Sequence, residues 1–259
     1  MQVGNERRES VQNTGPRFQP HGTFRFTPTR VRNRTPRDGD TYYNVSMSPR
    51  AYRFTDRLIG EIDKIIKVLT APARPSRALP AGAGGDPELG QAERRESARL
   101  MRVNHAGEVA AQALYQGQAL TAREPEVAAS LRRAAAEEMD HLAWCQQRLA
   151  ELHGRTSRLD PLWYLGSFTL GAAAGLLGDR ASLGFVAETE AQVEAHLRTH
   201  LDRLPAADRR SRRILEQMTH DEMRHGAQAA ALGGGPLPPP ARSLMRACGW
   251  LMTRSSYLL

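Results

Sequence analysis

The chain is poor in cysteine and in aromatic residues, and it opens without an apolar segment. Cys145 and Cys248 are the only thiols in 259 residues. Two thiols cannot build a disulfide framework or a four-thiolate metal site, which points to a reducing, intracellular setting. Aromatic residues make up 6% and β-branched clusters are few, which argues against a sandwich or barrel and for helices. The first 40 residues are polar and hold no apolar core of the kind a secretory signal needs. With 40% hydrophobic and 25% charged residues, the composition is otherwise that of an ordinary globular protein.

A net charge of +8 would suggest nucleic acid if it covered a folded surface. It does not. Residues 1–91 carry 15 Lys and Arg against 9 Asp and Glu, an excess of +6. Residues 92–259 carry 21 against 19, an excess of only +2. The basic surplus therefore belongs mainly to the N-terminal third, and no nucleic-acid partner is expected.

Three regions follow from the patterning. Residues 1–46, rich in Arg, Thr, Pro, Gly and Asn, have no apolar periodicity and read as a disordered basic extension. Met47 offers an alternative start; a mitochondrial-type presequence is the other reading, though Glu6, Glu9, Asp38 and Asp40 fit it poorly. Residues 47–91 read as an amphipathic helix followed by a Pro/Gly linker. Phe54, Leu58, Ile62, Ile65, Ile66 and Leu69 share one helical face, with Arg53, Arg57, Lys64 and Lys67 elsewhere. Such a helix either docks on the main domain or lies on an anionic membrane. Residues 92–259 read as helix after helix, near 92–122, 124–153, 161–178, 179–203, 207–231 and 240–258. Pro125, Gly154, Pro161, Gly178, Pro205 and the run from Gly233 to Pro240 mark the joints, and Asp179 and Asp208 are candidate N-caps.

Two of these helices carry the same chemistry. Glu137-Glu138-Met139-Asp140-His141 and Asp221-Glu222-Met223-Arg224-His225 each contain Glu-x-x-His, which puts carboxylate and imidazole on one helical face a turn apart. Each also has an acid four residues before the His, placed to orient that imidazole through its second nitrogen. One copy arises by chance on a charged helix. Two copies form the inward half of a di-iron or di-manganese carboxylate site, which needs one further Glu from each of two other helices. Glu108 stands 30 residues before Glu138, and Glu190 stands 32 before Glu222, each with a turn midway. Each helical leg of ~13 residues rises ~20 Å, so each hairpin returns its second Glu to the level of its first. Four carboxylates and two imidazoles suit two divalent iron or manganese ions, not zinc, which prefers four ligands rich in Cys and His. His105 and His196 lack a Glu three residues earlier and read as supporting or surface histidines. The fold class implied is all-α, a four-helix bundle of the ferritin-like type.

Between the hairpins, residues 161–178 carry no charge. Their ~27 Å as a helix is at the lower edge of a membrane span. Gly166, Gly171, Gly175 and Gly178 lower the hydrophobicity, so a crossover helix that is buried, or that dips into a membrane face, fits better than a span.

From about residue 95 to the end, the chain resembles the demethoxyubiquinone hydroxylases, the di-iron monooxygenases of ubiquinone biosynthesis. The resemblance rests on Arg102-Val103-Asn104-His105-Ala106-Gly107-Glu108, Glu138 to Leu142, Pro161-Leu162-Trp163, Gly171 to Asp179, Glu190 with Glu194 and His196, and Asp221 to His225. Asn104 departs from the family's usual Asp. The resemblance implies Glu108, Glu138, His141, Glu190, Glu222 and His225 as ligands of two iron ions, the same six that the spacing selects. It implies an oxidoreductase that hydroxylates a polyprenylated methoxy-methyl benzoquinol (demethoxyubiquinol to demethylubiquinol) with dioxygen and two electrons. A ferritin- or rubrerythrin-like iron or peroxide protein is the alternative. A substrate with a long apolar tail calls for membrane-facing helices, with 161–178 and the last helix as candidates. The expected location is peripheral, on the cytoplasmic face of the cell membrane, or on the matrix face of the mitochondrial inner membrane in a eukaryote. The resemblance names no electron donor, and a homo-oligomer is compatible with it.

Overall fold

The computed structural model describes residues 60, 63, 67, 68, 72–80 and 88–259. The expected extension 1–46 and most of the expected 51–70 helix lie outside them. Gly60, Asp63, Lys67 and Val68 are helical. Val68 is buried in a cluster with Val109, Ala113, Leu142 and Tyr164, so this end of the helix packs on the bundle.

Six helices follow: α1 (Gln91–Thr121), α2 (Pro125–Glu151), α3 (Asp160–Leu176), α4 (Asp179–Arg203), α5 (Arg209–Ala231) and α6 (Pro239–Leu258). The expected breakers place their ends. Proline opens the first turn of α2, α3 and α6, where a missing N–H costs nothing. α2 closes through His153 in the left-handed region (φ 55°), with the Gly154 N–H returning to the Leu149 carbonyl at 2.8 Å. Asp208 caps α5, its carboxylate accepting from the Ser211 N–H at 3.0 Å. Asp179 does not cap α4. Gly178, at φ 106°, holds the cap position, and Asp179 instead accepts from the backbone N–H groups of Arg123 and Glu124 at 3.0 and 2.8 Å. It thereby ties the α1–α2 turn to the start of α4.

α1 and α2 form one hairpin, α4 and α5 the other, and α3 crosses between them. The small residues of α3 face α1. A side chain at Gly171 would strike the Leu114 carbonyl, and one at Gly117 would strike the α3 backbone at Phe168 and Ala172. The leucines point the other way: Leu162, Leu165, Leu170 and Leu176 are exposed. No helix among the described residues is long and apolar enough to cross a membrane.

Two apolar clusters fill the bundle, one toward each end. The first joins Leu100, Met101, Trp144, Leu149, Leu197, Ile214, Leu215 and Met218. The second joins Tyr115, Val127, Leu131, Leu183, Val186 and Ala229. On each of the four helices the Glu and His of the expected site fall between the residues of these two clusters.

Candidate metal centre

Glu108 and Glu190 come from the first helix of each hairpin, and the two Glu-x-x-His pairs from the second. All six side chains are buried. Their donor atoms form two groups, Glu108, Glu138, His141 and Glu222, and Glu138, Glu190, Glu222 and His225, each with its atoms within 4.8 Å of one another. Glu138 and Glu222 belong to both. A pair of carboxylates common to two neighbouring clusters is the arrangement that bridges two cations.

His141 Nδ1 approaches Glu138 Oε2 at 2.9 Å, Glu222 Oε1 at 3.4 Å and Glu108 Oε2 at 3.5 Å. His225 Nδ1 approaches Glu138 Oε1 at 3.1 Å and Glu222 Oε2 at 3.5 Å. Glu108 Oε2, Glu138 Oε1 and His225 Nδ1 are buried and, beyond these ion-pair approaches, make no aligned hydrogen bond. Buried donors and acceptors left in that state are costly. A cation set among these oxygens and nitrogens would satisfy them, so the donor set fits a bound metal pair.

The outer nitrogens are held in a crossed manner. His141 Nε2 is 3.0 Å from Asp221 Oδ2 on α5, and His225 Nε2 is 3.1 Å from Glu137 Oε2 on α2. The acids four residues before each His therefore do not serve their own helix, as the spacing implied; each serves the other. The reason is directional. Each Nδ1 turns inward toward the carboxylates, which aims Nε2 at the facing helix. Arg224 holds Glu137 in place. Arg77 bonds both Asp140, through Nε at 2.6 Å, and Asp221, through Nη1 at 2.8 Å.

The charges answer to this enclosure. Burial pushes the Glu108 carboxyl well above the usual range, with the Glu138 and Glu222 charges adding to it. Burial and the Glu222 charge do the same to Glu190. Burial also acts upward on Glu138 and Glu222, but in both cases His141 and His225 overcome it and hold the carboxyl below its ordinary value. Burial opposes charge on the imidazoles, yet the carboxylates prevail: His141 is raised well above its usual value and His225 to about 11. The metal-free centre thus favours two neutral acids, two carboxylates and two imidazolium rings. Two divalent cations on four carboxylates and two neutral imidazoles carry the same net charge.

His105 and His196 stand apart from both clusters. His105 is buried with Nδ1 at 3.3 Å from Asp160. The His196 ring lies 3.9 Å from that of His200, whose Nδ1 bonds Asn104 Oδ1 at 2.8 Å. Asn104 therefore does make a buried hydrogen bond. Tyr115, which sequence reasoning did not single out, donates its hydroxyl to Glu190. Its position seven residues after Glu108, two turns on, was the available signal.

Comparison with known proteins sets this geometry in a family. The family model described as "Ubiquinone biosynthesis protein COQ7" matches residues 95–256. A protein of Cupriavidus pinatubonensis is 57% identical over 204 residues, which span 78% of this chain and 99% of the relative. A Nitrosomonas eutropha protein is 54% identical over 202 residues, 78% and 97% of the two chains. One from Bordetella parapertussis is 55% identical over 205 residues, 79% and 92%. All three bear the name 3-demethoxyubiquinol 3-hydroxylase. The match covers both hairpins, the crossover and every residue of the two clusters, and the chain belongs to the ubiquinone biosynthesis protein COQ7 family.

Proposed function

We propose that this chain is a 3-demethoxyubiquinol 3-hydroxylase, an oxygen-dependent oxidoreductase of ubiquinone biosynthesis that works at a di-iron centre. The observation that carries the reading is the pair of buried clusters sharing Glu138 and Glu222, in a member of a family whose relatives bear that name. Glu108 and His141 complete one half of the centre, and Glu190 and His225 the other. Four carboxylates and two imidazoles select iron or manganese over zinc. When bound, a ferrous pair supplies the two electrons that activate dioxygen.

The protein's own part is placement and exclusion. Asp221 and Glu137 keep each imidazole turned so that Nδ1 faces inward. The Tyr115 hydroxyl holds Glu190 Oε1. The apolar clusters on either side of the centre keep bulk water from the ends of the bundle.

The substrate's polyprenyl tail resides in lipid, so we read the outer faces of α3 and α6 as the membrane contact. Leu165 and Leu176 on α3 are 63% and 68% exposed, and Leu244 and Trp250 on α6 are 65% and 67% exposed. Arg242, Arg246 and Arg254 are exposed on α6, suited to anionic headgroups. Attachment is then peripheral, on the cytoplasmic face of the cell membrane. If α3 spanned the bilayer instead, the two hairpins would lie on opposite sides and the six side chains could not meet.

Quinone profiling of a deletion strain tests the function. The strain should accumulate a demethoxyquinone and recover on complementation, and an unchanged quinone pool would refute the assignment. A ferritin- or rubrerythrin-like role would instead give iron content without quinol-dependent oxygen uptake. High-salt or carbonate washing of membranes should release at least part of the protein. Protease added from the far side should cut nothing between Glu108 and Glu222.

A further inference from the structure

The expected Pro/Gly linker contains a segment, residues 72–80, without helix or strand. It is nonetheless fastened to α2 at several points. The Ala73 N–H bonds Gln146 Oε1 at 2.9 Å, and the Ser76 hydroxyl bonds Asp140 Oδ2 at 3.0 Å. The Arg77 carbonyl accepts from Trp144 Nε1 at 3.5 Å, and the guanidinium carbon stands 4.8 Å from the Trp144 ring centroid. From this anchorage Arg77 spans two carboxylates, Asp140 on α2 and Asp221 on α5, whose side chains are 2% and 0% exposed.

We propose that Arg77 is a positioning residue for the His141 half of the metal centre, acting through Asp221. The inference rests on the reading that the Glu and His clusters hold two metal ions. Asp221 Oδ2 receives both His141 Nε2 and Arg77 Nη1, so the guanidinium fixes the oxygen against which the imidazole is aligned. The cation also stands between two buried acids that would otherwise repel across the α2–α5 seam. The fork of Arg77 serves both at once, one nitrogen on each. His225 has a different support. Its acceptor Glu137 is 37% exposed and is held by Arg224, a residue of the bundle itself that is 39% exposed. Asp221 Oδ1 is held from within the bundle as well, by Gln217 Nε2 and by the same Arg224, each at 3.1 Å; what reaches its Oδ2, the oxygen that His141 meets, is Arg77, a residue outside the family match at 95–256.

The test uses the full-length protein and anaerobic titration of the metal-free form with iron(II). Arg77→Met keeps the apolar stem near Trp144 and removes the fork; Arg77→Gln is the second variant, in case the first loses helical content. One of the two ions should bind about tenfold or more weakly in the variants while the other binds as in the wild type. Asp221→Asn should weaken the same ion. Combining Arg77→Met with Asp221→Asn should cost no more than Asp221→Asn alone, because the two act in series. Equal weakening of both ions, wild-type binding of both, or fully additive penalties would each overturn the proposal. A wild type that takes up fewer than two ions would overturn the metal reading itself. Unchanged binding in the variants beside a two-ion wild type would overturn only the role of Arg77.

Discussion

Two glycines of α3 should respond in opposite ways to the same substitution. Gly171 packs against α1 so closely that an added Cβ would strike the Leu114 carbonyl oxygen and lie 3.0 Å from its carbon and 3.1 Å from Cα. Every obstructing atom is backbone, so no rotamer change relieves the overlap and α3 must move away from α1. Overpacking of this kind costs ~3 kcal/mol, at the upper end of the usual range. Alanine recovers ~1 kcal/mol over glycine in a helix interior, leaving a net loss of ~2 kcal/mol for Gly171→Ala. Gly166 lies on the same helix with nothing within 4 Å of an added Cβ. Gly166→Ala should therefore show only the gain, ~1 kcal/mol. For a domain of this size each kcal/mol shifts Tm by ~2–4 °C, so Gly171→Ala should melt ~4–8 °C below the wild type and Gly166→Ala ~2–4 °C above it. Far-UV circular dichroism melts at one fixed metal loading provide the comparison. If Gly171→Ala melts at or above the wild type, α3 does not pack on α1 through backbone contact at Gly171 and the argument fails.

Glu138→Gln should strip both metal ions, because Glu138 belongs to both clusters, whereas Glu108→Gln should leave one ion bound; elemental analysis of metal per chain distinguishes them. His225→Ala should likewise bring iron below two per chain and abolish hydroxylation while leaving the helical circular dichroism largely intact. Metal uptake should release protons, since the metal-free centre favours neutral Glu108 and Glu190 and charged imidazoles, with His225 raised to about 11. Affinity should therefore rise with pH, and a pH-independent binding constant would contradict the charge assignment. His200 runs the other way: burial, His196 and Arg203 depress it to about 2, so the unfolded chain binds a proton that the folded chain refuses. The contribution of His200 to stability should fall as pH drops below ~6.5, so His200→Gln should lose less stability than the wild type between about pH 7 and 5 in urea titrations followed across pH.

The helices and the six converging side chains were legible because their signals are local. Apolar periodicity with proline and glycine punctuation marks six segments, and the structure places their ends within about two residues of expectation. Glu-x-x-His is a statement about one face of one helix, and the 30- and 32-residue offsets are statements about hairpin length. What sequence misassigned depends on neighbours that no local pattern names. Asp179 has the residue type of a cap but sits one position too late, and its carboxylate finds the nearby N–H groups of the α1–α2 turn. Glu137 and Asp221 do lie on the same face as their own histidines, but the imidazoles point across the bundle. Arg77 sits in a Pro/Ala/Gly stretch whose composition describes a tether, and only the folded chain reveals that its guanidinium reaches α5.

The crossed hydrogen bonds also bear on the order in which the protein can mature. A nascent chain that has emerged through α2 owns Glu108, Glu138 and His141, but the acceptor for His141 Nε2 is Asp221, 80 residues later in the chain. His225, when it arrives, must look back to Glu137. Neither hairpin can orient its own imidazole, and neither owns a complete cluster, since each cluster takes Glu138 from one hairpin and Glu222 from the other. If the two clusters hold the proposed metal pair, a complete cluster forms only once synthesis has passed α5 and the hairpins have docked. The first hairpin alone holds three of the four donors of its cluster and the second supplies the fourth, so full loading of the proposed centre would report that the bundle has closed.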